Sequence, residues 1–159
     1  MINRTRFEWD YNSLHKNVEI KQIYARIYVK SINKIVIVSK DGKNWQMPWW
    51  KPERWETIFE TLQREVYEET SINILGDCNF TLFWYYLVEE DWVEYLQLRY
   101  FMEIDNIDIG LLKPSEKNSP DSIKFVKLVT IKEIKSMLPW IDKSWEFTSI
   151  LKLMNVNQI

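Results

Sequence analysis

Between Thr57 and Thr70 the sequence predicts a helix with a face that is hard to bury. Thr57 and Glu60 stand at capping-box spacing, and Ile58, Phe59, Leu62 and Val66 recur at intervals that set one apolar stripe. Glu65 falls at the edge of that stripe, Glu69 within it, and Glu68 on the same flank as Glu65. Like charges four residues apart cost roughly 0.2–0.5 kcal/mol per pair. Burial raises that cost, because an unpaired buried carboxylate prefers to be neutral. Such a helix must pack on an apolar core and still present three carboxylates at its boundary. Two arrangements resolve the conflict. One is a solvated acidic face paired with Lys or Arg. The other is a hard divalent cation, since Mg²⁺ takes one or two carboxylates together with waters and substrate phosphates.

The remaining chain supplies the core. Its 159 residues suit a single domain, and 46% hydrophobic against 28% charged residues is an ordinary globular balance. Val18–Lys30 and Lys34–Ser39 are predicted strands, the second ending at Asp41-Gly42. Trp45–Arg54, with two prolines, is predicted to be a loop. Phe80–Val88 and Val93–Ile104 are aromatic-rich strands joined by a turn at Glu89-Glu90-Asp91-Trp92. Most of Phe83, Trp84, Tyr85, Tyr86, Tyr95, Tyr100 and Phe101 are assigned to the core. Asn106–Ser122 is a long polar loop, Lys124–Val129 a short strand, and Ile131–Leu138 and Ser144–Leu153 are helices. The mixture is α/β or α+β, and element order alone does not choose.

Several function classes are disfavoured. A net charge of −2 with scattered Lys and Arg offers no basic stripe to a nucleic-acid polymer or an anionic membrane. The lone Cys78 makes neither an internal disulfide nor a metal site. The first residues show no apolar signal segment, and no run is apolar enough to span a bilayer, so a cytoplasmic setting is expected. The single histidine, His15, lies in a polar stretch and is expected to be solvated.

The segment Trp50 to Ile72 resembles the Nudix box: Gly, five residues, Glu, seven residues, then Arg-Glu-apolar-any-Glu-Glu-any-Gly-apolar. Glu56, Arg64, Glu65, Val66, Glu68, Glu69 and Ile72 match at the required spacing, while Trp50 and Ser71 occupy the two glycine positions. Met47-Pro48 and Glu53 resemble the family's flanking Leu-Pro-Gly-Gly and Glu-any-Gly-Glu segments. The resemblance implies an α/β/α sandwich with a mixed central sheet, one domain over residues 1–159 with its core at about 18–153. It implies hydrolysis of a nucleoside diphosphate derivative with Mg²⁺ or Mn²⁺, the metal held by Glu65, Glu68 and Glu69. Arg64 would pair with a box acid, Glu56 first, and hold the loop. The general base is a box glutamate or a later acid, with Glu89, Glu90, Glu94, Glu116 and Asp121 as candidates. The implied partner is a small nucleotide. The alternative is a catalytically impaired Nudix-like module that binds a nucleotide or a protein. A third reading is an unrelated α+β interaction domain with an acidic helix.

Tryptophan stands where glycine is expected. The chain has 9 Trp and only 3 Gly, where average usage would give roughly eleven glycines. Trp49, Trp50 and Trp55 replace glycines of the resembled motif, Trp92 follows Asp91 in the hairpin turn, and Trp140 follows a predicted helix. A non-glycine residue in the left-handed region costs about 1–2 kcal/mol, and an indole blocks close approach of backbone to phosphate. Two readings compete: the tryptophans are genuine, the loop is remodelled and the enzyme is crippled, or a gene in which UGA encodes glycine was translated with UGA as tryptophan, which accounts for the surplus, the deficit and the positions together. Trp45 is then a true tryptophan, and Gly42, Gly76 and Gly110 come from other codons.

Overall fold

The computed structural model describes residues 4–6, 18–74, 78–115, 122–141 and 145–154. His15, Gly76, Glu116 and Asp121 lie outside them. The strands are β1 (Arg4–Arg6), β2 (Glu19–Val29), β3 (Lys34–Ser39), β4 (Trp45–Gln46), β5 (Trp49–Trp50), β6 (Asn79–Glu90), β7 (Val93–Ile104) and β8 (Phe125–Val129). The helices are α1 (Ile58–Thr70), α2 (Ile131–Met137) and α3 (Trp145–Leu153). The strands form one sheet in the order β1-β6-β7-β2-β3-β4, with β5 also on β2 and β8 also on β3. β2 and β7 run parallel and the other recorded pairs antiparallel, so the sheet is mixed.

Alternation along the strands builds two cores. Ile23, Ala25 and Ile27 of β2, with Leu98 and Tyr100 of β7, face α1 and pack on Leu62 and Val66. Tyr28, Ile35, Ile37 and Phe101 face the other way and pack on Ile134 of α2 and on Phe147 and Ile150 of α3. A sheet buried on both faces between helices is the expected α/β/α sandwich.

Local chemistry fixes α1. The Glu60 amide donates to Thr57 Oγ1 at 3.2 Å and the Thr57 amide donates to Glu60 Oε2 at 2.8 Å, completing the capping box. The buried stripe is Thr61, Leu62, Val66 and Thr70, with Ile58 and Phe59 only half-buried. It lies one step round the helix from the predicted stripe, because Phe59 turns aside to stack on Phe80 at 5.4 Å. The last carbonyls of α1 find partners in the long loop. The Lys113 amide donates to Thr70 O at 3.2 Å and the Ser115 amide to Glu68 O at 2.8 Å.

The tryptophans divide. Asp91 (φ 49°) and Trp92 (φ 67°) both take the left-handed backbone that a two-residue hairpin needs, with Trp92 94% exposed. The expected strain is absent at the other four positions: among the described residues, Trp49, Trp50, Trp55 and Trp140 have no positive φ. Trp49 and Trp50 form β5, pairing with Tyr24 and Ile23, so the predicted loop carries extended backbone instead. α2 ends at Leu138 without a left-handed residue, which relieves Trp140. The second glycine position of the resembled motif does need its conformation: Ser71 has φ 59° and closes α1 by donating its amide to Tyr67 O at 2.8 Å.

Candidate active site

The inward edge of α1 opens into a cleft of about 390 Å³, lined by Glu65, Glu68, Glu69, Lys40, Lys51 and Trp49 among others. Helical spacing puts the three carboxylates on one flank. Trp50 of β5 shares a core with Leu62 and Val66 of α1, which sets that flank beside β5.

Arg64 organises the lower part. Its Nε donates to Glu56 Oε1 at 2.6 Å and its Nη2 to Glu56 Oε2 at 2.9 Å, a two-pronged pair. Thr61 Oγ1 donates to the same carboxylate at 2.9 Å. These donors hold the Glu56 carboxyl down, to about 2, with the Arg64 bond the largest cause. The Glu56 amide donates to Glu53 O at 3.0 Å, so the pair clamps the end of the 51–56 loop onto α1. Arg64 Nη1 also donates to Glu65 Oε1 at 2.8 Å and to Glu68 Oε2 at 3.3 Å.

Glu69 is different. Burial, and then the charge of Glu65, push its carboxyl up from 4.5 to about 8. Trp50 Nε1 faces it and favours the charged form, but not in the geometry of a hydrogen bond, and Glu69 Oε2 is buried without a partner. Burial also raises the Glu65 carboxyl, against the pull of Arg64. An all-oxygen donor set with an orphaned buried carboxylate suits a hard cation. Even so, no three acidic, histidine or cysteine side chains among the described residues are grouped tightly enough to enclose one. Arg64 holds Glu65 and Glu68 while Glu69 stands apart.

Glu89, Glu90 and Glu94, named as base candidates, lie where β6 meets β7, with Glu89 opposite Glu94, and do not line the cleft. The hairpin carries them away from α1. Sequence reasoning missed a charged cluster on the opposite sheet face. Arg26 of β2 donates to Glu146 of α3, both almost fully buried, and Arg99 of β7 lies 3.7 Å from the same carboxylate. Period-two alternation placed these residues on the α3 face, but nothing local signalled that α3 would bring a glutamate to meet them.

No family model and no curated protein sequence matches the chain. Solved structures do. The NUDIX domain of Shewanella oneidensis NrtR, complexed with ADP ribose, is similar at a TM-score of 0.64 and 11% identity, over 92% of this chain and 94% of that one. The Escherichia coli dihydroneopterin triphosphate pyrophosphohydrolase gives 0.59 and 14%, over 86% and 98%. The Bacillus subtilis pyrophosphohydrolase BsRppH gives 0.59 and 17%, over 94% and 83%. The mixed sheet between α1 and the α2–α3 pair is therefore the Nudix fold.

Proposed function

We propose that the chain is a pyrophosphohydrolase of the Nudix type, acting in the cytoplasm on the diphosphate linkage of a nucleoside diphosphate derivative. Mg²⁺ or Mn²⁺ would be held by Glu65, Glu68 and Glu69. The observation that carries this is the buried Glu69 carboxylate, whose Oε2 has no hydrogen-bond partner, beside Glu65 and Glu68 in one cleft. A bound divalent cation supplies neutralisation of the diphosphate and a water of lowered pKa. Sharing it among the three carboxylates requires Glu65 and Glu68 to loosen from Arg64, which keeps both prongs on Glu56. Lys40 and Lys51 at the rim draw the diphosphate in. Glu65, Glu68 and Glu69 are the cleft carboxylates among the described residues and are candidates for the base that takes the water's proton; Glu116 and Asp121, outside those residues, stay candidates with them. The small-nucleotide reading is supported by the ligand of the NrtR domain and by the pyrophosphohydrolases that share the fold.

One observation favours the second reading, a binding module without catalysis. Trp49 and Trp50 fill the backbone positions where the resembled motif keeps glycine, and Trp50 is 3% exposed beneath Glu69. Calorimetric titration with MgCl₂, then with ADP ribose, separates the readings. A hydrolase binds metal through Glu69 and loses it in Glu69→Gln. A binding module takes the nucleotide equally in both proteins and releases no phosphate product.

A further inference from the structure

The C-terminal turn of α1 carries two of the three cleft carboxylates, Glu68 and Glu69. The last four carbonyls of a helix have no partner inside it, and end turns open most readily. Here opening has a further incentive. Glu65, Glu68 and Glu69 crowd one cleft, and Glu69 Oε2 is buried without a hydrogen-bond partner. Unwinding the turn would return that carboxylate to water. The turn is held from outside the helix, by residues 113–115. The Lys113 amide donates to Thr70 O at 3.2 Å, and the Ser71 hydroxyl donates back to Lys113 O at 2.6 Å, so the two backbones are tied in both directions. Past Pro114, the Ser115 amide donates to Glu68 O at 2.8 Å. The Ser115 hydroxyl donates to the same oxygen at 3.2 Å and to Tyr67 O at 3.4 Å. Pro114 fixes its own φ, which stiffens the strap between its two attachments.

Packing beneath the strap is incomplete, because a hollow of about 240 Å³ lies between residues 70–73 and the 106–112 loop. The hydrogen bonds therefore carry much of the attachment. The return bond from Ser71 is one that the resembled motif cannot make. That motif has glycine here, which takes left-handed backbone without strain and has no side chain. Ser71 takes the same backbone, at φ 59°, and bears the cost of its Cβ. A strained serine in place of a permissive glycine is accounted for when its hydroxyl is in use. The position carries serine, so no misread tryptophan codon bears on it.

We propose that Ser71 is a positioning residue: its hydroxyl fastens residues 113–115 to the last turn of α1 and so keeps Glu68 and Glu69 in the cleft, set to receive a divalent cation. The proposal rests on the reading of these carboxylates as metal ligands. Without the hydroxyl the turn stands open for part of the time, and apparent metal affinity falls with the fraction of molecules in which it is closed.

The test compares Ser71→Ala, which removes the hydroxyl and keeps the strained backbone, with Ser71→Gly, which removes both. In chelator, Ser71→Gly should melt about 2–4 °C above Ser71→Ala. Amide hydrogen exchange in chelator should speed about fivefold at Lys113 and Ser115 in both variants, the usual worth of one hydrogen bond. Calorimetric titration with MgCl₂ should then give a Kd raised about threefold or more, by the same factor in both. A residue that merely supports the fold would make affinity follow melting temperature, with Ser71→Gly binding better than Ser71→Ala. That ranking overturns the proposal, and so does a native Kd in both variants. Unchanged exchange at Lys113 and Ser115 overturns the strap itself, with no metal involved. Failure of the native chain to bind Mg²⁺, with exchange still faster in the variants, is a different outcome: it refutes the metal site, and the positioning role with it, and leaves the strap standing.

Discussion

Glu69→Gln should make the metal-free protein more stable as pH rises. The folded state raises the Glu69 carboxyl from 4.5 to about 8, mainly by burial and then by the neighbouring Glu65 charge. A carboxyl raised on folding holds its proton in the native state over that interval, so stability is greatest below about 4.5 and is lost as pH climbs to about 8. At about 1.4 kcal/mol for each pH unit of displacement, that interval corresponds to roughly 3–5 kcal/mol. Glutamine keeps the shape and helix propensity without ever ionising. Urea denaturation in chelator, from about pH 4 to about pH 9, reads the slope directly. The two proteins should agree at the acid end, and the variant should become the more stable by several kcal/mol at the alkaline end. Excess Mg²⁺ should then restore the native protein and leave the variant less affected. Parallel pH profiles for the two proteins would refute the account of Glu69 as a carboxyl raised by burial and by Glu65.

Three further outcomes follow from particular contacts. Arg64→Lys keeps the charge but loses the two-pronged grip on Glu56, and at a one-third-exposed guanidinium should cost about 1 kcal/mol in thermal or urea unfolding. The Glu56 carboxyl is depressed to about 2, so the stability it lends is present above 4.5 and is lost as pH falls towards 2; Glu56→Gln should flatten that acid limb. Trp92→Gly should stabilise by about 1 kcal/mol, since it relieves a left-handed φ and sacrifices an indole already 94% exposed. Trp50→Gly should instead destabilise by about 3 kcal/mol or more, because Trp50 is 3% exposed in the α1-side core.

Much of the frame was legible because periodicity and end signals agree. Thr57 and Glu60 marked where α1 begins, and Lys34–Ser39 is a strand with the predicted bounds. The position of Glu69 on the inward stripe followed from spacing, whereas the pairing of Arg64 with Glu56 was implied only by the Nudix resemblance. What was not legible depends on contacts far apart in the chain. β5 exists because Trp49 and Trp50 meet β2, which no local pattern announces. The Arg26–Glu146 pair joins residues 120 positions apart. Left-handed strain was overassigned for the same reason: extended pairing at 49 and 50 removed the need for glycine geometry there, while the hairpin at Trp92 kept it. The codons at 49, 50, 55, 92 and 140 decide whether those tryptophans are encoded as such. UGA at these positions with UGG at 45 supports misread glycine.

The central claim is that Glu65, Glu68 and Glu69 serve metal-dependent cleavage of a diphosphate. The direct measurement is phosphate-product release with Mg²⁺ from a panel of nucleoside diphosphate derivatives. It is made on the chain as written and on the chain with glycine at 49, 50, 55, 92 and 140, each with and without Glu69→Gln. The glycine form should cleave at least one substrate, with Glu69→Gln lowering turnover by about a hundredfold or more. The chain as written should be slow or inactive, because the indoles at 49 and 50 keep the loop backbone from the diphosphate. Turnover that survives Glu69→Gln unchanged would contradict the metal site. A glycine form that binds nucleotide and never cleaves it would leave the binding module as the better account.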